Sequence, residues 1–347
     1  MTPAETSPRF DALRHWAAAQ HHLPADVLNL RLAAGDASFR RYFRLTLPDG
    51  RSRMLMDAPP AQEDSRPFVD IARRWRAGGL PVPALYAVDL EAGFLELDDL
   101  GDTPLQLRFK SIDHADTLRW HEHAMELIHA LQNRAGPDPL PIYDAALLGR
   151  ELDLFPEWCL TQWLGETALP PGWNELRQSL IDSALAQPVV TVHRDYDAMN
   201  LMVHDERLFL IDFQDAVAGP ISYDLISLLR GRYCRFPAGR FTAWVEAFRQ
   251  RAMQDGRLPR SIDSETFHRQ VQAMAAQRAL KVLGIFCRLT LRDERTGYLE
   301  RLLHFLTHLE DSLTDLPEHD AFQRWLTEDF RPALMQRLAA ASGEEAT

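Results

Sequence analysis

The chain is 347 residues long, beyond ordinary single-domain length, which predicts one large domain or two coupled ones with ample material for a core. Its 38 Lys and Arg stand against 50 Asp and Glu, and a net charge of −12 argues against a protein that works by neutralising nucleic-acid phosphates. Three widely spaced cysteines suggest neither a disulfide framework nor a zinc knuckle; with no basic-then-apolar leader and no run of about 18 apolar residues, a soluble cytoplasmic chain without a membrane partner is expected.

Residues 7–22 carry Phe10, Leu13, Trp16 and Ala17 near a helical period and predict an opening helix that stops at Leu23-Pro24. Residues 30–34 read as a strand, Gly35-Asp36-Ala37-Ser38 as a tight loop, and residues 41–47 alternate in the period of two that marks a second strand. Pro48-Asp49-Gly50 is a hairpin turn, followed by a strand over 53–56, a helix over 67–77 and a strand pair over 85–89 and 94–97. This order predicts a small mixed β-sheet lobe over 1–97.

Asp98-Asp99-Leu100-Gly101-Asp102 is polar punctuation, and from there to 347 the chain turns to long amphipathic helices, a larger helical lobe. Helices are predicted over 112–133, 147–164 and 174–185, with a Gly-Pro-rich linker at 136–141. A short apolar strand at 189–192 leads into His193-Arg194-Asp195-Tyr196-Asp197-Ala198-Met199-Asn200, then a hairpin of 201–203 with 208–211, then Ile211-Asp212-Phe213-Gln214-Asp215. A helix begins near Tyr223, and only helices are predicted from Phe236 onward.

Residues 193–215 concentrate the chemistry. Phosphoryl transfer asks the protein to position donor and acceptor, to neutralise developing charge with Mg²⁺ and to accept the proton of the attacking hydroxyl. Asp195, on a loop after a buried strand, suits the proton acceptor. Asn200 offers an amide oxygen to a metal without a further negative charge, and Asp212 offers the carboxylate that hard divalent cations select. The bland alternative is that these acids cap turns. For Asp197 and Asp215, a solvated loop charge and a contact with metal or acceptor are equally open.

Upstream, Gly35, Asp36, Ala37, Ser38, Arg40 and Arg41 form a candidate phosphate cradle, and the backbone at Glu96 and Leu97 is a candidate for the adenine edge of a nucleotide. Glu157, in the rigid stretch Leu154-Phe155-Pro156-Glu157-Trp158, reads as part of a helix kink or of an acceptor-pocket wall; Gln214 and Asp215 are further acceptor candidates. His121, His123 and His129 share a helix, but not at the His-Glu-x-x-His spacing of zinc hydrolases.

The His-x-Asp-x-x-x-x-Asn spacing followed by Asp-Phe resembles the catalytic loop and metal aspartate of the protein-kinase-like fold. The chain as a whole resembles the aminoglycoside-phosphotransferase-like kinases. Through 32–43, Met56-Asp57-Ala58-Pro59-Pro60, 154–158, 211–216, Gly219-Pro220 and Tyr223-Asp224-Leu225 it is most similar to the bacterial anomeric kinases of N-acetylmuramate and N-acetylglucosamine. That resemblance implies an α+β, bilobal fold and a transfer from ATP, with Mg²⁺, to the anomeric hydroxyl of an amino sugar in peptidoglycan recycling. Asp195 would be the base and Asn200 and Asp212 the metal ligands, with no nucleic-acid partner and no obligate protein partner. The chain departs from the wider kinase pattern where Met54-Leu55-Met56-Asp57 lacks the phosphate-pairing lysine, so Arg40, Arg41 or Arg44 is expected to supply that charge. A kinase of another hydroxylated metabolite such as an aminoglycoside, and a nucleotide-binding pseudokinase, are the alternatives.

Overall fold

The computed structural model describes residues 7–35 and 39–344. The chain divides into two units: one runs up to Leu107 and regains Met199–Asp215, the other holds Arg108–Ala198 and Ala216 onward.

The first unit is built on a five-stranded sheet of β1 (Asn29–Gly35), β2 (Arg41–Thr46), β3 (Ser52–Asp57), β4 (Leu85–Asp89) and β5 (Phe94–Asp98), in the order β1-β2-β3-β5-β4. Every pairing is antiparallel, so what is mixed in this unit is helix with sheet, not strand direction. Side chains alternate across a strand, and Phe43, Leu45 and Leu55 therefore share one face. They form a core with Phe10, Leu13 and Ala17 of helix α1 (Pro8–His21). Ser7 starts that helix by accepting from the Phe10 amide at 3.2 Å. Gly93 turns the chain into β5 at φ +73, where a Cβ would meet the Ala58 carbonyl oxygen at 2.0 Å, so only glycine fits. Helix α2 (Arg66–Ala77) places Phe68 and Trp75 against Phe213.

The second unit is mostly helical: α3 (Ala115–Arg134), α4 (Ala145–Leu154), α5 (Trp173–Leu185), α6 (Tyr223–Leu229), α7 (Ala238–Gln254), α8 (Ser264–Leu291), α9 (Leu302–Leu313), α10 (Asp320–Trp325) and α11 (Arg331–Glu344). The long α8 is its spine, packing against α4, α5, α6, α7 and α9. A short antiparallel pair joins β6 (Val189–Val192) to Val217–Pro220. That second strand is absent from the sequence reading, because four residues ending in Gly-Pro look like a turn; Gly219 sits there so that Tyr143 can approach, at 3.1 Å from where a Cβ would be. None of the described helices is long and apolar enough to cross a membrane, and all three cysteines are free and buried.

Candidate active site

In the helical unit, β6 delivers His193, Arg194 and Asp195 onto a loop tied down on either side of the aspartate. The His193 and Arg194 amides donate to the two carboxylate oxygens of Asp224, at 2.8 and 3.1 Å. Asp224 lies in the first turn of α6 and is fully buried. Arg194 holds a left-handed backbone, φ +75, a conformation that costs about 1 kcal/mol or more for a side chain of this size and that the Asp224 fork offsets. Beyond it, the buried Tyr196 hydroxyl donates to the Ala124 carbonyl at 2.7 Å, the Asp197 amide donates to the Asp195 carbonyl at 2.8 Å, and Arg232 Nε donates to the Asp197 carboxylate at 3.0 Å. Asp195 is the exposed residue of this otherwise immobilised run. Burial pushes the Asp224 carboxyl up to about 7, against the two amides that favour its anion.

Behind the loop lies a buried charge network. Glu151 of α4 receives Arg194 Nη2 at 2.7 Å and Lys281 Nζ at 2.8 Å on one oxygen, and the Tyr143 hydroxyl on the other. Lys281 of α8 also donates to the Tyr223 hydroxyl at 2.9 Å. Burial alone would raise the Glu151 pKa, but Lys281 and Arg194 hold it down to about 2. Arg278, one turn earlier on α8, donates to Ser227 Oγ at 2.8 Å. Arg278 and Lys281 are thus turned inward as parts of the framework.

In the sheet unit, β7 (Leu201–His204) and β8 (Arg207–Leu210) form the expected hairpin, anchored by the Val203 amide on Thr103 and the Leu210 amide on Pro81, both at 2.8 Å. The Ile211 amide donates to the Asn200 carbonyl at 3.1 Å, so the hairpin brings Asn200 and Asp212 to one end. Asp212 adopts φ +61, and Gln214 Nε2 donates to its carboxylate at 2.7 Å. Phe213, fully buried, stacks on Phe68 with ring centres 4.8 Å apart and tilts against Trp75 at 5.4 Å. No three His, Cys, Asp or Glu among the described residues converge on one point. One carboxylate and one amide oxygen are nevertheless a donor set that fits Mg²⁺, which keeps waters and substrate phosphates in its remaining positions.

The upstream candidates are placed differently from one another. Gly35 ends β1 opposite Arg41, whereas Asp36, Ala37 and Ser38 lie outside the described residues. Arg40 is nearly buried, with Nη2 on Glu63 at 2.6 Å. Arg41 pairs across the strands with Asp57, the residue standing at the end of the lysine-free strand. That carboxylate is fully buried and is also reached by Arg9 of α1 at 2.7 Å. Asp57 therefore ties Arg9 of α1 to the sheet, and Arg41 is held beside it on the Phe43 face. Arg44, the third candidate for the nucleotide phosphates, has its guanidinium on Asp99 at 2.6 Å and Asp102 at 2.8 Å. Glu96 and Leu97, the candidates for the adenine edge, belong to the same sheet. Both sit in β5 with neighbours on each side, and the ladder occupies their backbone groups; the Glu96 carboxylate faces His21 at 3.1 Å and Arg53 at 3.6 Å.

Of the acceptor candidates, Glu157 and Asp215 are exposed, and Gln214 braces Asp212. The stretch around Glu157 is where α4 continues as a π-helix over Phe155–Leu164, beside Gly284 of α8; a Cβ on Gly284 would lie 2.4 Å from the Leu154 carbonyl. His121 and His129 are buried, and burial lowers both to about 4, as core residues of α3. Sequence reasoning assigns no role to Asp224, Glu151 or Arg232. Only Asp224 carried a signal, through the Tyr-Asp-Leu motif.

A model of the phosphotransferase enzyme family matches residues 29–259. A protein of Pseudomonas putida named N-acetylmuramate/N-acetylglucosamine kinase is 42% identical over 84% of this chain and 85% of its own length. One of the same name from Pseudomonas aeruginosa is 41% identical over 85% and 86%. Among solved structures, a putative aminoglycoside phosphotransferase of Ralstonia eutropha superposes with a TM-score of 0.63 at 17% identity, covering 89% of this chain and 98% of that one. A choline/ethanolamine kinase family protein of Mesorhizobium loti gives 0.57 at 16%, over 92% and 99%. The fold is the α+β, protein-kinase-like phosphotransferase fold.

Proposed function

We propose, for a chain that belongs to the phosphotransferase enzyme family, that it transfers the γ-phosphoryl group of ATP to the anomeric hydroxyl of N-acetylmuramate or N-acetylglucosamine, releasing ADP and the sugar 1-phosphate. The two Pseudomonas relatives, named as kinases of these sugars, support the acceptor. The observation that carries the chemistry is the run from His193 to Asp197, immobilised by Asp224, Ala124 and Arg232 around an exposed Asp195.

In this reading the anomeric oxygen attacks the γ-phosphorus, the bond to the β-phosphate oxygen breaks, and the hydroxyl proton passes to the Asp195 carboxylate. Asn200 and Asp212 would hold Mg²⁺, which neutralises charge on the phosphates. Gln214 keeps the Asp212 carboxylate oriented. Arg40, Arg41 and Arg44 each pair with a carboxylate within the sheet unit, and ATP affinity of their alanine variants decides which of them meets the nucleotide phosphates. The product, an amino-sugar 1-phosphate, suits peptidoglycan recycling in the cytoplasm.

Transfer of labelled γ-phosphate to a panel of acceptors tests the reading. The expected result is labelled amino-sugar 1-phosphate, lost by at least 1,000-fold in Asp195→Asn. Labelling of an aminoglycoside instead would move the chain to the antibiotic kinases, and ATP binding without transfer to any acceptor would make it a pseudokinase.

A further inference from the structure

We propose that Arg232 and Arg301, with Tyr233 and Tyr298, form the part of the acceptor site that reads the carboxylate of N-acetylmuramate. This inference rests on the sugar-kinase reading above. The two sugars of that reading differ by one group, a lactyl ether on C3 that carries a carboxylate, so an enzyme accepting both needs a cation that only one of them uses.

The helical unit gathers such a cation beside the catalytic loop. Asp197, two residues beyond Asp195, is almost fully buried and receives Arg232 Nε at 3.0 Å. Arg301 Nη1 donates to the Arg232 carbonyl at 3.2 Å, and its guanidinium lies 5.5 Å from the centre of the Tyr233 ring. Arg232 in turn sits 5.9 Å from the Phe286 ring, which is tilted against Tyr298 at 5.2 Å. All four proposed residues are half-buried, accessible yet held.

The charges do not cancel. One guanidinium suffices for the Asp197 carboxylate, and Arg301 has no carboxylate partner among the described residues, so the cluster keeps a surplus of one positive charge. The terminal nitrogens of Arg232 likewise have no hydrogen-bond partner among the described residues. A planar fork of N–H donors matches a carboxylate, and half-buried aromatic rings match the apolar face of a sugar. Burial and the Asp197 carboxylate push the Tyr233 hydroxyl up to about 12, so it stays a hydrogen-bond donor at neutral pH. Arg301 is thus a specificity residue. Arg232 serves both the substrate carboxylate and, through Asp197, the loop that carries Asp195.

The test is the ratio of kcat/KM for N-acetylmuramate over N-acetylglucosamine. In Arg301→Ala this ratio falls about 10- to 100-fold, the size of a lost charge-assisted hydrogen bond, chiefly through KM for N-acetylmuramate. Arg301→Lys restores part of it. Arg232→Ala lowers kcat on both sugars because Asp197 is released. Should Arg301→Ala fail to fold by thermal melting, Arg301→Gln reads the same ratio with less loss of packing. An unchanged ratio in a folded Arg301 variant overturns the inference, as does a wild-type chain that phosphorylates N-acetylglucosamine alone. A wild-type chain that phosphorylates neither sugar overturns the kinase reading beneath it as well.

Discussion

Replacing Glu151 with Gln isolates the charge network under the loop that carries Asp195. The wild-type carboxylate is held at about 2 against an ordinary 4.5, and with its side chain 6% exposed solvent does little to screen the pairing. A folded-state pKa below the unfolded one contributes stability that is present above pH 4.5 and lost as pH falls through 2. The full contribution is about 3 kcal/mol at neutral pH, of which about 2 kcal/mol is gone by pH 3. The glutamine variant keeps the volume but leaves Lys281 buried with only the Tyr223 hydroxyl, and Arg194 without its carboxylate. Removing one member of a buried pair costs about 3–5 kcal/mol at pH 7. Urea unfolding of both proteins at pH 7, 4.5 and 3 should show a stability gap of that size that narrows by about 2 kcal/mol at the lowest pH. A gap that stays constant across the series would refute the reasoning, since Glu151 would then not be held ionised by its two cations.

Asp224→Asn retains the shape of the fork but can accept only one of the two amides and points an N–H₂ at the other. It is expected to lower kcat at least 100-fold by loosening the frame of Asp195 while KM for ATP changes by less than threefold, which steady-state kinetics resolves. Gly284→Ala places a methyl 2.4 Å from the Leu154 backbone, so α8 and the start of the π-helix must separate. A loss of about 2 kcal/mol or more is expected from overpacking alone, read as a lower thermal midpoint.

Much of the candidate stretch is legible in the chain because its parts are local. Asp195, Asn200 and Asp212 lie on a loop and a hairpin whose periodicities show directly, and the hairpin bond from Ile211 to Asn200 follows from the register. The strands of the sheet and the helices α1, α2 and α3 follow in the same way from alternation and amphipathic spacing. What the spacing leaves unread are the partners that lie far along the chain. Arg44 reads as an accessible cation until Asp99 and Asp102 meet it, and Glu96 as a solvated acid until His21 and Arg53 face it.

By itself, then, the sequence displayed most of the strands and helices and the candidate residues of the 193–215 stretch, since both are written in spacing over a few residues. The tertiary structure alone decided which charges are partners. Asp224 reaches the loop from 31 residues after His193 and Glu151 from 43 before Arg194. It also returned 199–215 to the sheet unit, where Phe213 is enclosed by Phe68 and Trp75. The physical reason is that a pairing energy depends on distance and burial in space, and neither is encoded in the identity of a lone acid or arginine until the helices and strands around it have packed.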